Sequence, residues 1–389
     1  MNIVLINFDD IVGSFGGVSK VFADMSNSLS SMGNTVTALT FEVAQGEPAY
    51  PFNSKVNLRN CCQGLFEKVF HNDGIAKLKT FYIRDREKRR TKRYRIELTN
   101  KSRAIKKALD DTNPDVIVAF QQEVTYLLME ILKIKTPVVT MLHNEPSFYF
   151  DRPEFKIFKP ALNKCAFVQV LIPQYVEQAK RYLEKDNVIY IPNVVPQYKD
   201  VPKLTNPVIL NVAKISSRKR QHLIVEAFAK IADKHPLWSV DLWGWNQGEY
   251  GTKLRNEIKR LGLESKVRLC GETQKIAEKY KEASIFAFPS VYEGFSLALT
   301  EAMSAGLPVI GCKDCLSVSS MIEHGVNGLM CDSNSDDLAK QLDILMSDHE
   351  LRVKLGQEAK KSVQKYAPSV VWQQWDDLLK SLSEKSSPK

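Results

Sequence analysis

The 389-residue sequence has no apolar run near the ~20 residues that a membrane-spanning helix needs. Its first seven residues also lack the basic region and the long apolar region of a secretion signal, and they predict a short buried strand instead. Both observations argue against a membrane-spanning or secreted protein. We therefore expect a cytoplasmic protein, with any membrane contact restricted to the inner surface of the cell membrane.

The sequence also has little that predicts a metal site. It contains no Asp-x-Asp motif, and its six histidines form no cluster with the spacing of metal ligands. Its seven cysteines are an odd number and are scattered, which favours reduced thiols over disulfides. One Cys-x-x-Cys pair, Cys312 and Cys315, has no second pair to complete a zinc site. We expect no metal ion and no cofactor.

Short apolar runs alternate with helical patterns, and this predicts parallel sheets built from strand–helix–strand units. The length favours two such α/β domains. Predicted strands in the first half are residues 3–6, 35–39, 116–120, 138–142, 167–171 and 188–191. Predicted strands in the second half are residues 208–212, 239–243, 267–270, 285–288 and 308–310.

A polar stretch from Pro192 to Pro207 carries four prolines and is the expected linker. The predicted domains are residues 1–195 and residues 196–366. Residues 367–389 follow, and the spacing of their apolar residues predicts an amphipathic helix. We expect this helix to pack back on the N-terminal domain.

Positive charge is concentrated between Lys77 and Lys107, which hold 14 Lys and Arg residues against 3 Asp and Glu. Residues 84–109 contain no Pro or Gly and predict a long exposed helix. Such a segment attracts phosphate, either in nucleic acid or at an anionic membrane surface. The candidates for membrane contact are Arg86, Arg89, Arg90, Arg93 and Lys101, with Phe81, Tyr82 and Ile83 entering the interface.

The most specific motif runs from Ser290 to Met303, after the predicted strand 285–288, and opens a helix near Ser296. Gly294 allows a ligand to approach the backbone. The amides of Phe295, Ser296 and Leu297 would then face a diphosphate at the helix N-terminus. Two carboxylates flank this turn: Glu293 is placed to reach a sugar, and Glu301 to accept hydrogen bonds from ribose hydroxyls.

This segment resembles the retaining family-4 glycosyltransferases of the GT-B fold, most strongly from Ile209 to Met346. The resemblance implies two Rossmann-like parallel-sheet domains that face each other across a cleft, with residues 1–195 binding an acceptor and residues 196–366 binding a nucleotide-linked donor. It also matches Lys214 and Lys219 to the family's Arg-x4-Lys phosphate clamp. Residue 214 is Lys where the family has Arg. A compact ammonium charge therefore replaces a planar guanidinium that could donate two parallel hydrogen bonds to a phosphate. The strand-to-glycine turn at Gly244 resembles one that lies near the donor.

In the first half, a glycine-rich turn from Gly13 to Gly17 follows the first predicted strand, a place where α/β sheets offer amides to ligands. By the resemblance, Gly17 approaches the donor, and His143 lies near the transferred sugar. The implied catalytic residues are therefore His143, Lys219 and Glu293. The implied donor-binding residues are Gly17, Lys214, Lys219, Gly244, Gly294, Phe295, Ser296, Leu297 and Glu301.

The implied function is retaining transfer of a hexose or N-acetylhexosamine from a nucleotide sugar, with UDP as the preferred nucleotide. The acceptor would be a glycan or lipid-linked glycan, such as a surface polysaccharide precursor. Lys214, Lys219 and the helix N-terminus would stabilise the leaving diphosphate without a metal ion. Two alternatives stay open: an NAD(P)-dependent oxidoreductase that uses the first glycine-rich turn, and a non-catalytic protein that binds membranes or nucleic acid through the basic segment.

Overall fold

The computed structural model describes residues 1–62, 76–183 and 185–386. The chain divides into two compact units. Unit 1 contains residues 1–193 together with residues 369–389, and unit 2 contains residues 194–368. The change from one unit to the next falls within the proline-containing stretch 192–207.

Unit 1 is built on a parallel seven-stranded sheet with the order β3-β2-β1-β4-β5-β6-β7. Its strands are β1 Asn2–Asn7, β2 Thr35–Thr40, β3 Asn57–Asn60, β4 Val116–Ala119, β5 Val138–Met141, β6 Phe167–Val170 and β7 Val188–Tyr190. The inner strands are rich in Val, Ile and Leu because helices cover a parallel sheet on both faces. All four residues of β4, for example, are buried.

The helices of unit 1 are α1 Gly17–Ser31, α2 Arg86–Thr112, α3 Gln122–Tyr126, α4 Pro146–Phe150, α5 Lys159–Lys164, α6 Gln174–Leu183 and the C-terminal helix α14 Pro368–Ser386. A π-helical turn, Leu127–Ile131, extends α3, and a 3-10 helix, Pro153–Phe158, precedes α5. Trp375 of α14 is buried, and Asn34 donates a hydrogen bond to Asp376 at 3.2 Å. Helix α14 therefore packs within unit 1, although it follows unit 2 in sequence.

Unit 2 has a parallel six-stranded sheet with the order β10-β9-β8-β11-β12-β13. Its strands are β8 Val208–Val212, β9 Ser239–Trp243, β10 Val267–Gly271, β11 Ile285–Phe288, β12 Val309–Cys312 and β13 Leu329–Cys331. Its helices are α7 Gln221–Ala229, α8 Glu249–Arg260, α9 Ile276–Glu282, α10 Leu297–Ser304, α11 Leu316–Ser319, α12 Ser335–Ser347 and α13 His349–Ser362. Two 3-10 helices, Ser217–Lys219 and Gln364–Tyr366, complete it.

The predicted α/β class with two Rossmann-like sheets is confirmed. Strand β3 was missed by the sequence interpretation because Asn57–Asn60 is a polar edge strand, with two exposed and two half-buried residues. The basic helix forms at Arg86–Thr112, within three residues of the predicted bounds. In the described part of the chain, no helix is both long enough and apolar enough to span a membrane.

Candidate active site

The candidate donor site of unit 2 lies where the strand order of its sheet reverses. Strands β8 and β11 are neighbours at this point, although 72 residues separate the end of β8 at Val212 from the start of β11 at Ile285. Open α/β sheets bind ligands in the crevice beyond the carboxyl ends of the strands at such a switch point. The loops that leave β8 and β11 carry the predicted phosphate clamp and the Glu293 turn respectively.

These two loops contact each other directly. The Val291 amide donates to the Arg218 carbonyl at 2.9 Å, and the Arg218 guanidinium lies 5.6 Å from the centre of the Tyr292 ring. Lys219 forms an ion pair with Glu293, and both side chains are nearly buried, at 13% and 11% exposure. The two residues that the sequence assigned to catalysis in this half of the chain therefore lie together.

Helix α10 begins directly after the Glu293 turn. Its cap, Ser296, adopts a left-handed conformation with φ 54° and ψ 53°, which few non-glycine residues adopt. The Ser296 hydroxyl lies 3.1 Å from that of Ser317, and the Phe295 ring packs edge-on against Tyr366 at 5.1 Å. These contacts fix the turn that leads into α10. The first backbone amides of the helix have no acceptor within the helix, and such amides can donate to an anion. Gly294 is buried in the same turn.

Glu301, one turn inside α10, is only 8% exposed. The Tyr280 hydroxyl of helix α9 donates to its carboxylate at 3.2 Å. Burial and the Glu301 charge raise the pKa of Tyr280 well above its usual value, so Tyr280 stays protonated and remains a donor. Tyr280 was missed by the sequence interpretation because a lone tyrosine in a helix carries no motif.

Lys214 and Gly244 occupy neighbouring loops at the same edge of the sheet. The Lys214 side chain is exposed, and its ammonium lies 4.6 Å from the centre of the Trp245 ring. Gly244 has φ 141°, and a Cβ there would lie 2.1 Å from the Ala213 carbonyl oxygen. The glycine is therefore required for packing against the Ala213–Lys214 backbone, which was not apparent from the sequence.

Unit 1 contains the two remaining predicted residues. Gly17 is exposed and begins helix α1 after the loop that follows β1. His143 lies just beyond β5, stacked on Phe120 at 5.4 Å and lining a cavity of about 530 Å³. Burial lowers the pKa of His143 to about 4, although a hydrogen bond to the Phe120 backbone opposes this shift. The imidazole is therefore neutral at physiological pH, and its Nε2 atom has no partner in the described residues.

The same cavity is lined by Asp9, Lys101, Gln122 and Glu123, and the sequence interpretation placed none of them in a donor or acceptor site. Lys101 corrects an expectation, because it was predicted to face a membrane. Its ammonium lies instead 4.4 Å from the Phe8 ring centre and 4.8 Å from that of Phe41, and burial lowers its pKa. Among residues 1–62, 76–183 and 185–386, no group of three or more His, Cys, Asp or Glu side chains is arranged to hold a metal ion.

Comparison with known proteins adds a family match to this geometry. The model of the family "Glycosyl transferases group 1" matches residues 195–362, which is nearly all of unit 2. An uncharacterized glycosyltransferase of Haemophilus influenzae is 23% identical over 373 residues, covering 95% of this chain and 97% of that relative.

Two solved structures have the same fold over almost the whole chain. Sucrose-phosphate synthase from Thermosynechococcus elongatus aligns with a TM-score of 0.82 at 18% identity, covering 99% of this chain and 100% of that one. The Anabaena protein HepE, solved with UDP and glucose, aligns with a TM-score of 0.72 at 18% identity, covering 98% and 100%. Together the matches support a GT-B glycosyltransferase. They favour neither the oxidoreductase nor the non-catalytic alternative.

Proposed function

We propose that this glycosyltransferase moves a hexose or N-acetylhexosamine from a UDP-sugar to a glycan acceptor with retention of configuration. The observation that carries the proposal is the paired Lys219 and Glu293 beside the N-terminus of α10, at the switch point of the unit 2 sheet. Cationic and amide donors at one place match the two phosphates of a nucleoside diphosphate. The UDP and glucose bound by HepE support the choice of donor.

In this mechanism the C–O bond between the sugar and the diphosphate breaks, and negative charge develops on the leaving diphosphate. Lys219, Lys214 and the first amides of α10 would stabilise that charge. Glu301, held by Tyr280, would accept hydrogen bonds from the ribose hydroxyls. Glu293 would bind the transferred sugar. Within unit 1, neutral His143 would accept a hydrogen bond from a sugar hydroxyl through Nε2. The acceptor proton would pass to the leaving phosphate as the new bond forms on the same face.

The test is a panel of UDP-, GDP- and ADP-sugars assayed for slow hydrolysis, with the anomer of the released sugar followed by NMR. We expect hydrolysis of a UDP-hexose or UDP-N-acetylhexosamine with the α-anomer appearing first. Hydrolysis confined to another nucleotide would overturn the donor assignment. First appearance of the β-anomer would overturn retention.

We further propose that the enzyme works at the cytoplasmic surface of a membrane, where a lipid-linked acceptor is presented. The supporting observation is an exposed apolar strap beside helix α2: Leu78 and Phe81 are 73% exposed and Tyr82 is 60% exposed. Lys92 donates to the Tyr82 hydroxyl at 2.7 Å and Arg89 donates to the Ile83 carbonyl at 2.6 Å, so the strap is held against the basic helix. Exposed aromatic side chains beside cations are typical of contact with anionic lipid surfaces.

A further inference from the structure

The cavity of unit 1 lies at the switch point of the first sheet. Strands β1 and β4 are neighbours there, and their carboxyl ends supply Phe8, Asp9 and the run of residues 120–123 to the cavity wall. Helix α2 closes one side with Glu97 and Lys101. The cavity, about 530 Å³ in volume, therefore occupies the position at which an open α/β sheet binds a ligand.

Aromatic rings form much of the cavity wall. Those that line it are Phe8, Phe41, Tyr94, Phe120, Phe148, Tyr149 and Phe155. A pyranose ring presents C–H groups on its faces and hydroxyls at its edge, so it packs on rings and hydrogen-bonds to polar groups between them. An extended apolar chain would use the rings but would leave the polar groups of the wall without partners.

Gln122 is the polar group that most clearly lacks a partner. Its side chain is 2% exposed and lines the cavity, yet neither Oε1 nor Nε2 forms a hydrogen bond with any described residue. A buried amide of this kind is destabilising unless something bonds to it. The amide both donates and accepts, which matches a sugar hydroxyl.

The charged groups of the wall are predominantly acidic. Glu97 is paired with Arg93 at 2.7 Å, whereas Asp9 and Glu123 form no ion pair with a described residue. Lys101 is the cation among the lining residues, and it lies against the Phe8 and Phe41 rings. Burial raises the pKa of both Asp9 and Glu123 because the cavity disfavours negative charge, and an anionic ligand would meet the same desolvation cost.

We propose that this cavity binds the acceptor through a sugar ring that carries no anionic group, with Gln122 and Glu123 bonding to its hydroxyls. The wall then selects against acceptors whose terminal sugar is a uronate or a sugar phosphate. This inference rests on the proposed transferase function and specifies the acceptor class of that reaction. Phosphate on a carrier would lie outside the cavity, away from Asp9 and Glu123.

The test uses ligand-observed saturation-transfer NMR with four probes: methyl α-D-glucopyranoside, methyl N-acetyl-α-D-glucosaminide, methyl α-D-glucuronide and D-glucose 6-phosphate. With the wild type we expect the first two to bind and the anionic pair to bind at least about tenfold more weakly. In a D9N/E123Q double variant the carboxamides retain hydrogen bonding but lose charge, so the anionic probes should gain affinity. The matched control is E177Q, which makes the same change at an exposed position of α6 and should alter nothing.

Gln122→Leu separates a ligand-binding role from a structural one. We expect it to weaken the neutral probes about tenfold, as loss of about 1.4 kcal/mol of hydrogen bonding would. It should leave the midpoint of thermal unfolding unchanged or raised, because it removes an unbonded amide. Equal or tighter binding of the anionic probes to the wild type would overturn the inference, as would undiminished neutral binding by Q122L.

Stabilisation of the protein by UDP reports on unit 2 independently. If UDP stabilises the chain but no neutral glycoside binds in the cavity, the acceptor inference fails and the proposed function stands. If UDP gives no stabilisation, the proposed function itself fails.

Discussion

Lys219 and Glu293, 74 residues apart in the sequence, form an ion pair that joins the loop after β8 to the loop after β11. The same ammonium lies 5.3 Å from the centre of the Phe288 ring. The lysine proposed to bind the leaving diphosphate is thus held by a carboxylate. A donor diphosphate must share or replace that partner, which gives substitutions at the two positions opposite effects on nucleotide binding.

Lys219→Ala should weaken UDP binding and lower turnover about 10²–10³-fold, since it removes a charge that stabilises the leaving group. Glu293→Gln should also lower turnover but should tighten UDP binding, because it frees the Lys219 ammonium for phosphate. Calorimetry with UDP and donor hydrolysis rates measure the two effects. Equal loss of UDP affinity in both variants would contradict a competition between Glu293 and the diphosphate.

Glu301→Ala should raise the KM for the donor. The expected loss of binding free energy is about 1.5–3 kcal/mol, the range for hydrogen bonds to a charged group. Tyr280→Phe removes only the hydroxyl that orients Glu301, so a smaller loss of about 0.5–1.5 kcal/mol is expected. Tyr250→Phe is the matched control, because the Tyr250 hydroxyl contacts His222 at 2.9 Å and not Glu301. A donor KM that changes equally in the two tyrosine variants would show that Tyr280 does not act through Glu301.

Activity should persist in excess EDTA, because lysines and helix amides are proposed to supply the positive charge at the diphosphate. The measurement is the rate of donor turnover before and after prolonged chelation, with Mg²⁺ and Mn²⁺ added back. Complete loss of activity that either ion restores would show that a metal ion is needed at the phosphates.

The sequence predicted the inner strands well for a physical reason. Strands such as β4, Val116–Ala119, are buried on both faces, so their apolar runs are unbroken and flanked by polar turns. Strand β3 lies at an edge and carries polar residues, which leaves no such run. The Ser290–Met303 motif was likewise found from local spacing. The ion pair between its Glu293 and Lys219 depends instead on the order of the strands in the sheet.

The cavity of unit 1 could not be predicted in this way. Its wall is assembled from the ends of four strands, four α-helices and a 3-10 helix, so Asp9 and Gln122 belong to no common motif. Lys101 was predicted to face outward from the average charge of its segment. The helical spacing of Tyr94, Leu98, Lys101 and Ile105 would have placed it on the buried face, since residues three or four apart share a face.

His143 should give the wild type an acid-sensitive stability. Its pKa is about 4 in the folded state and about 6.5 when unfolded, so the unfolded chain takes up a proton first as the pH falls. The contribution of this group to stability is constant above pH ~6.5 and decreases as the pH falls from there toward about 4. His143→Asn should remove that decrease, so the free energy of unfolding of the variant should depend less on pH in this window. The free energy of unfolding of both proteins is measured by urea denaturation. If it depends on pH identically in the wild type and the variant, His143 is not a buried neutral imidazole.

The apolar strap and basic helix should bind anionic vesicles at low salt. Each cation near such a surface contributes about 1 kcal/mol, and salt screens that attraction. Arg89 and Arg90 are exposed on α2, whereas Arg93 is paired with Glu97 and the side chain of Arg86 lies outside the described part of the structure. Charge reversal at Arg89 and Arg90 should therefore release the protein from vesicles that contain anionic lipid, measured by flotation.

Phe81→Ser with Tyr82→Ser should weaken the same binding at high salt as well, because burial of the two rings in the interface does not depend on ionic strength. Reversal of Lys340 and Lys354, two exposed lysines of unit 2, changes the net charge by the same amount and should leave flotation unaltered. If wild-type protein stays with the soluble fraction at low salt, or if the Lys340 and Lys354 reversal releases it equally, α2 is not a membrane-binding surface. Donor hydrolysis in the Arg89 and Arg90 variant should equal that of the wild type in either case, since those side chains lie in unit 1 on the exposed face of α2.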